Sequence, residues 1–284
     1  MKVYKLDGYD YITVVEIDKS EVDNIDFALC KQPKEKLSAY YARQDVKPDI
    51  LMNGGFFNMS SGNTIFDYID EKKTISTSTR NEGIGITDEC ELVFGTSDSQ
   101  DWRDFVSAYP PLIVDGKKAT ITYAKEIDYN ARRSVLAFNN DKIFLIAVEG
   151  KGMNFSALQT ILMNIGCTYA INLDGGGSTK ILQNGKSITS ASYNRAVDNV
   201  VAVYLKQVKK TIYRVQAGAF SKKPYAVAFR DKIRSIGGDY ASAYIRLVDG
   251  KYKVQIGAFS KIENAKNFAE GLKSKGIDCY ITTA

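Results

Sequence analysis

Histidine is missing from all 284 residues. Its absence removes the commonest general base near neutral pH and the commonest zinc ligand, so acid–base chemistry falls to Asp, Glu, Lys, Tyr or Cys. Cysteine is scarce: the four, at 30, 90, 167 and 279, are too scattered for a metal-knuckle spacing. Each stands in an apolar or mixed segment, which marks buried free thiols rather than a disulfide framework. No apolar run approaches the ~20 residues that cross a bilayer. Residues 1–7 lack the apolar core of a signal peptide. The expectation is a protein made in the cytoplasm, without membrane insertion.

What is present is an ordinary globular composition, 44% hydrophobic and 25% charged. At ~150 residues per domain the length suggests two domains. The net charge of +5 conceals an asymmetry. Residues 1–205 carry 22 Lys and Arg against 27 Asp and Glu, a net of −5, whereas residues 206–284 carry 16 against 6, a net of +10. A basic tail points to an anionic polymer as partner, either nucleic acid or an anionic cell-wall glycan.

The tail is a repeat. Tyr213-Arg214-Val215-Gln216-Ala217-Gly218-Ala219-Phe220-Ser221 returns 39 residues later as Tyr252-Lys253-Val254-Gln255-Ile256-Gly257-Ala258-Phe259-Ser260. Each copy opens with strand-like alternation. A helical stretch follows each, near 225–236 and 263–275, and ends at glycine. Further strands are expected at 241–247 and 278–282. The order βαββαβ predicts a small ferredoxin-like sandwich over 212–284, after a short basic linker at 206–211. Alternation sets Gln216 and Gln255 opposite the apolar Val215 and Val254, on the sheet face that the helices leave open. An RNA-binding sheet needs a row of stacking aromatics, but Phe220 and Phe259 fall at strand ends, so nucleic acid is set aside as the partner.

Residues 1–205 read as many short strands with few helices. A helix is expected at 156–165, capped by Ser156 and carrying Leu158, Ile161, Leu162 and Ile165 on one face. A strand over 169–173 then ends on Asp174-Gly175-Gly176-Gly177-Ser178. Three successive glycines give up backbone entropy and pack nothing. They are tolerable where the chain turns sharply, or where backbone N–H groups close around an anion. The motif alone leaves both readings open. Four more polar clusters end buried-looking runs: Asn53-Gly54-Gly55, Arg132-Arg133-Ser134, Glu149-Gly150 and Asn194-Arg195. Five such clusters at strand ends can converge on one rim, and the planar arginine fork suits phosphate or carboxylate.

Two family resemblances follow from these motifs. The Val-Gln-x-Gly-x-Phe-Ser strand in both halves of 212–284 resembles the SPOR (sporulation-related repeat) family. That resemblance implies binding of peptidoglycan glycan strands, with Gln216 and its counterpart Gln255 facing the glycan. The family's usual Ser before the Phe is Ala219 here. Asn53-Gly54-Gly55-Phe56-Phe57, Pro111 to Gly116, Ala131 to Ala137, Ala170 to Ser178 and Asn194 to Asn199, in that order, resemble the phosphodiester glycosidase (NAGPA-like) family. Here Glu149-Gly150-Lys151 stands where that family usually has Asp-Gly-Arg. The combined reading is an α+β chain: a NAGPA-like mixed α/β catalytic domain over 1–205 and a SPOR domain over 212–284.

The resemblance implies a cell-wall-targeted hydrolase that cleaves a sugar-1-phosphodiester or a related cell-wall glycoside. Phosphate is already a fair leaving group, which suits a site without histidine. In this reading Arg133 and Arg195 hold the phosphate, Asp174 is base or nucleophile, and Glu149 is the second carboxylate. Asn53, Gly54, Gly55, Asn172, Gly175, Gly176, Gly177, Ser178 and Asn194 line the substrate. A divalent cation at Asp174 is left open, because the sequence shows no complete ligand set. The layout resembles that of phage endolysins acting at the bacterial cell wall. The competing reading is a non-catalytic binder of peptidoglycan or an anionic wall glycan.

Overall fold

Alternating apolar residues build the N-terminal unit as stacked sheets. The computed structural model describes residues 1–107, 109–121, 127–190, 194–207 and 211–283; residues 208–210 of the expected linker lie outside them. The chain divides into two units, Met1–Lys206 and Gln207–Ala284.

In the first unit a seven-stranded sheet runs in the order Lys2–Leu6, Tyr9–Asp18, Lys142–Met153, Ala131–Phe138, Tyr169–Leu173, Pro111–Val114, Lys117–Lys118. Both faces of its central strands are buried. Val14, Val135, Ala137, Ile146 and Ala170 pack on one face against Leu158, Ile161 and Leu162 of the helix Phe155–Asn164. Val15, Leu136, Leu145, Ile171 and Leu173 point the other way. They meet Ile25, Ile50, Met52 and Val201 of a second sheet, and Ile84, Ile86 and Val106 of a third. Period-2 alternation therefore sorts neighbouring residues into two different cores. The helix begins one residue earlier than expected. Asn154 caps it, its side chain accepting from the Ala157 N–H at 2.9 Å, where the sequence suggested Ser156.

The second unit is a four-stranded antiparallel sheet in the order Tyr244–Val248, Lys251–Phe259, Tyr213–Phe220, Tyr280–Thr283. Helices Lys223–Arg234 and Ile262–Lys273 cover one face, burying Val215, Ala217, Val254 and Ile256 against Ala226, Ile233, Ala265 and Leu272. The expected strand at 241–247 starts later, because a 3₁₀ turn occupies Gly238–Ser242. Among the described residues no helix is long and apolar enough to cross a membrane.

Candidate active site and glycan platform

Leu173 pairs with Ser134, so Asp174 is the first residue beyond the paired end of its strand. Its N–H donates to the Gly54 carbonyl at 3.1 Å. Gly175 is extended, and a 3₁₀ turn, Gly176–Ser178, follows, closed by the Ser178 N–H on the Gly175 carbonyl at 3.1 Å. Gly175 is required by space, and Gly177 gives Arg195 its seat. A Cβ on Gly175 would lie 2.4 Å from the Arg132 carbonyl oxygen, and one on Gly177 would lie 2.7 Å from Nη2 of Arg195. The third, Gly176, adopts φ +60°, in the left-handed region. The exposed Arg195 guanidinium therefore rests on Gly177, within electrostatic reach of Asp174.

Asp174 is partly buried, and desolvation pushes its pKa above the ordinary carboxylate value. The Ser178 hydroxyl, the Arg195 charge and the Gly175 N–H oppose that shift by favouring the ionised form. The Ser178 hydroxyl is itself fully buried and meets no partner at good hydrogen-bond geometry, so it stands available beside the carboxylate. The structure thus brings together Asp174, Gly175, Gly176, Gly177, Ser178 and Arg195. Asn194 lies next in the chain, exposed, its side chain accepting from Lys180 Nζ at 3.2 Å.

Other expected site residues are placed differently. Asn53 is completely buried. Its Nδ2 donates to the Asp174 carbonyl at 2.6 Å, and its Oδ1 accepts from Ser134 Oγ at 2.9 Å and the Lys180 N–H at 3.2 Å. Gly54 and Gly55 face Asn199. The Gly54 N–H donates to its backbone carbonyl at 2.9 Å, and the Gly55 N–H to its Oδ1 at 2.6 Å. The expectation that Asn53, Gly54 and Gly55 contact substrate is corrected: they fasten the Asp174 loop from beneath, with their polar groups spent on protein. Asn199, which sequence reasoning did not single out as a site residue, is the other half of that fastening.

Arg133 sits one residue from Ser134 and so on the helix side of the sheet. Its Nη2 donates to the Ile127 and Tyr129 carbonyls, both at 2.8 Å, and its guanidinium lies 3.9 Å from the Phe155 ring centre. Burial pushes its pKa down. Nε and Nη2 of this residue, expected as a phosphate clamp, thus donate to backbone carbonyls of the protein. Glu149 is also buried. It accepts from Lys5 Nζ at 3.0 Å, from Thr13 Oγ1 at 3.2 Å and from the Ser190 N–H. Those bonds engage both oxygens of the group expected as the second carboxylate. Asn172 donates to the Tyr109 carbonyl at 2.6 Å, another structural tie.

These ties do shape a cleft. A cavity of about 610 Å³ is lined by Arg80, Asn81, Glu82, Tyr109, Pro110 and Ile127, among others. Asn172 holds Tyr109, and Arg133 holds Ile127. The Arg80 guanidinium lies 4.2 Å from the Tyr109 ring centre. Nothing in the sequence singled out Arg80 or Tyr109, because each is placed by partners distant along the chain. Among the described residues no group of three or more carboxylates or thiols is set to hold a metal ion.

In the second unit, register carries Tyr280, Gln216, Gln255 and Tyr244 side by side across all four strands. Gln216 Nε2 donates to the Tyr280 hydroxyl. The two glutamines are buried, whereas the flanking tyrosines are exposed. The result is an amide pair between two aromatic rings on the face that the helices leave open, a surface suited to sugar hydroxyls and sugar C–H faces. The sequence placed Gln216 and Gln255 there but did not single out Tyr244 and Tyr280.

A model of the family described as phosphodiester glycosidase matches residues 47–204, and one of the SPOR domain matches residues 209–283. The N-acetylglucosamine-1-phosphodiester alpha-N-acetylglucosaminidases of Mus musculus and Homo sapiens are 25% and 24% identical over 172 residues, covering 51% of this chain and 33% of each relative. The chain therefore spans about a third of those relatives' length. The zebrafish catalytic domain of that enzyme, auto-inhibited by its pro-peptide, shares the fold with a TM-score of 0.56. It is 17% identical, and the match covers 72% of this chain and 87% of that one. With more than half of its length matched by one model, the chain belongs to the phosphodiester glycosidase family and carries a SPOR domain after that match.

Proposed function

We propose that the protein is a cell-wall-directed hydrolase that cleaves a sugar-1-phosphodiester or a related wall glycoside at Asp174, held at the wall by its SPOR domain. The observation that carries this reading is the seating of Arg195 on Gly177 beside a carboxyl group whose pKa burial has raised. A carboxylate of raised pKa is a stronger base, and the Arg195 charge keeps it ionised. Water attacks the anomeric carbon, its proton passes to Asp174, and the bond from that carbon to the phosphate oxygen breaks with the electron pair leaving on phosphate. Phosphate needs no proton to depart, so a second carboxylate is dispensable. Arg195 meets the phosphate oxyanion, and the Gly175–Ser178 turn sets the depth at which the sugar stops.

The test is release of free sugar from a soluble sugar-1-phosphodiester by the purified full chain. Asp174→Asn is expected to abolish release, and Arg195→Ala to cut it about a hundredfold. Unchanged release in both variants defeats the assignment. One observation favours a second reading, a non-catalytic wall binder: the bonds that occupy Glu149 leave Asp174 as the lone carboxylate of the loop. Binding to purified walls with no sugar or fragment released would decide for that reading.

A further inference from the structure

The N-terminal unit holds a second polar cavity, about 400 Å³ in volume, lined by Gln32, Asn63, Thr64, Ser76 and Asp198 among others. Asp198 stands just before the strand Asn199–Leu205 and is 1% exposed. Its carboxylate is held by neutral donors. Gln32 Nε2 donates to Oδ1 at 2.8 Å, while Thr64 Oγ1 and, at 3.1 Å, Asn199 Nδ2 donate to Oδ2. Among the described residues, dipoles meet this charge and no cation does. A buried carboxylate is costly unless an opposite charge answers it.

The other polar side chains on the cavity are hydroxyls and carboxamides. A carboxylate offers about four lone-pair sites, and the three donors leave one. Thr64 spends its single hydroxyl proton on Asp198, so its oxygen has only lone pairs to present. Ser76 does the same with the Thr64 carbonyl, at 3.4 Å. Gln32 gives its amide N–H to Asp198, which leaves its carbonyl oxygen over. Gln32 and Asn63 are both exposed at the cavity's rim. One charged oxygen among neutral ones, with no imidazole or thiolate in the lining, is the donor set of a hard cation. Calcium takes six to eight oxygens at about 2.3–2.6 Å in flexible geometry, with waters completing the set, whereas magnesium demands a near-ideal octahedron.

We infer that this cavity binds one divalent cation of calcium's size, held by Asp198, Thr64, Ser76, Gln32 and Asn63. The site is distinct from Asp174 but is tied to its loop. Asn199 Nδ2 holds Asp198, and Oδ1 of the same amide accepts from the Gly55 N–H at 2.6 Å. A cation on Asp198 therefore braces the fastening beneath the Asp174 loop and takes no part in sugar release. One carboxylate sets a weak affinity, a Kd of roughly 0.1–1 mM.

The experiment is calorimetric titration of CaCl2 into the unmutated full chain in a potassium chloride buffer. One site per chain is expected, with magnesium bound about tenfold more weakly. Calcium should also raise the urea midpoint read by Trp102 fluorescence. Asp198→Asn should weaken binding by about tenfold or more. That variant also disturbs three hydrogen bonds, so the exposed Asn63, whose side chain carries none of them, supplies the second test. Asn63→Ala should weaken binding about threefold, and Asn63→Asp should tighten it about tenfold by adding a second carboxylate. Overlaid circular-dichroism melts without calcium establish that the variants fold. Asp174→Asn should bind calcium as the unmutated chain does. No saturable heat, equal binding of magnesium, competition by potassium at equal concentration, or indifference to both Asn63 substitutions overturns the inference. So does loss of calcium in Asp174→Asn, which would place the cation at the other carboxylate.

Discussion

Asn53→Ala distinguishes a residue that touches substrate from one that holds the site together. The fully buried side chain makes four hydrogen bonds, to the Asp174 and Gly54 carbonyls, the Ser134 hydroxyl and the Lys180 N–H. Alanine leaves the Asp174 carbonyl and the Lys180 N–H without this partner, whereas Ser134 keeps Thr179 Oγ1 and the Gly54 carbonyl keeps the Asp174 N–H. At about 1 kcal/mol for each stranded neutral group, the expected loss is about 2 kcal/mol of unfolding free energy. The chain has one tryptophan, Trp102, which is 2% exposed within the first unit. Its fluorescence in a urea titration therefore reports that unit alone. The midpoint should fall while the slope with denaturant stays constant. Asn53→Asp sharpens the test. It keeps the acceptor for Ser134 and Lys180 but turns a carboxylate oxygen toward the Asp174 carbonyl, so at neutral pH it should destabilise at least as much as alanine. Protonation restores a donor, so part of the loss should return on acidification. If Asn53→Ala costs under about 0.5 kcal/mol, as a surface substitution does, Asn53 is not the clamp and its place facing the substrate must be reconsidered.

Gly177→Ala should lower sugar release about tenfold by unseating Arg195, yet cost under about 1 kcal/mol of stability, because the clashing atoms are the mobile end of an exposed side chain; a urea titration and a rate measurement on the same preparation check both. Asp70 has its pKa raised from 3.8 to about 6, chiefly by burial and then by Asp104, Glu71 and Asp26, against the Leu29 N–H that lowers it. The folded state thus binds its proton more tightly than the unfolded chain, so this group's contribution to stability falls as pH rises from about 4 through about 6. Asp70→Asn should flatten that decline, and equal pH dependence in both proteins would refute the assignment. The pH–rate profile for sugar release should show an acid limb above the ordinary aspartate value of 3.8, reflecting Asp174, and Arg195→Gln should move the limb further upward by removing the charge that favours ionisation.

Strands near 134–139 and over 169–173 were readable from the residues, and with them the placing of Asp174 just past a strand end. Which face each residue serves was not readable, because helix and second sheet make both faces apolar. Arg133 and Ser134 show the consequence. The arginine looked like the ligand-binding partner, yet one step of alternation sends it to Met153, Phe155 and the carbonyls of 127 and 129, and gives the modest serine to Asn53. Gly54 and Gly55 looked like a ligand loop because glycine serves any close approach. Their neighbour proves to be Asn199, 144 residues from Gly55. The SPOR half was more legible because a repeat states its pattern twice: Gln216 and Gln255 fell on the open face as expected, while Tyr244 and Tyr280 join them only through cross-strand register, which the residues do not state.

The same logic separates two kinds of glycine by experiment. A Cβ at Gly54 would lie 2.1 Å from Asn199 Oδ1, an atom whose other bond holds the Gly55 N–H. The asparagine cannot retreat without breaking that bond, and it is fully buried. Gly54→Ala should therefore destabilise the first unit by about 2 to 3 kcal/mol, through overpacking and a stranded donor. Asn199→Ala, combined with it, should recover part of the clash while still losing the hydrogen bond, so the two effects should be markedly non-additive. Additive losses measured by Trp102 fluorescence would show that Gly54 and Asn199 do not share one contact, and the account of why this loop is glycine would fail.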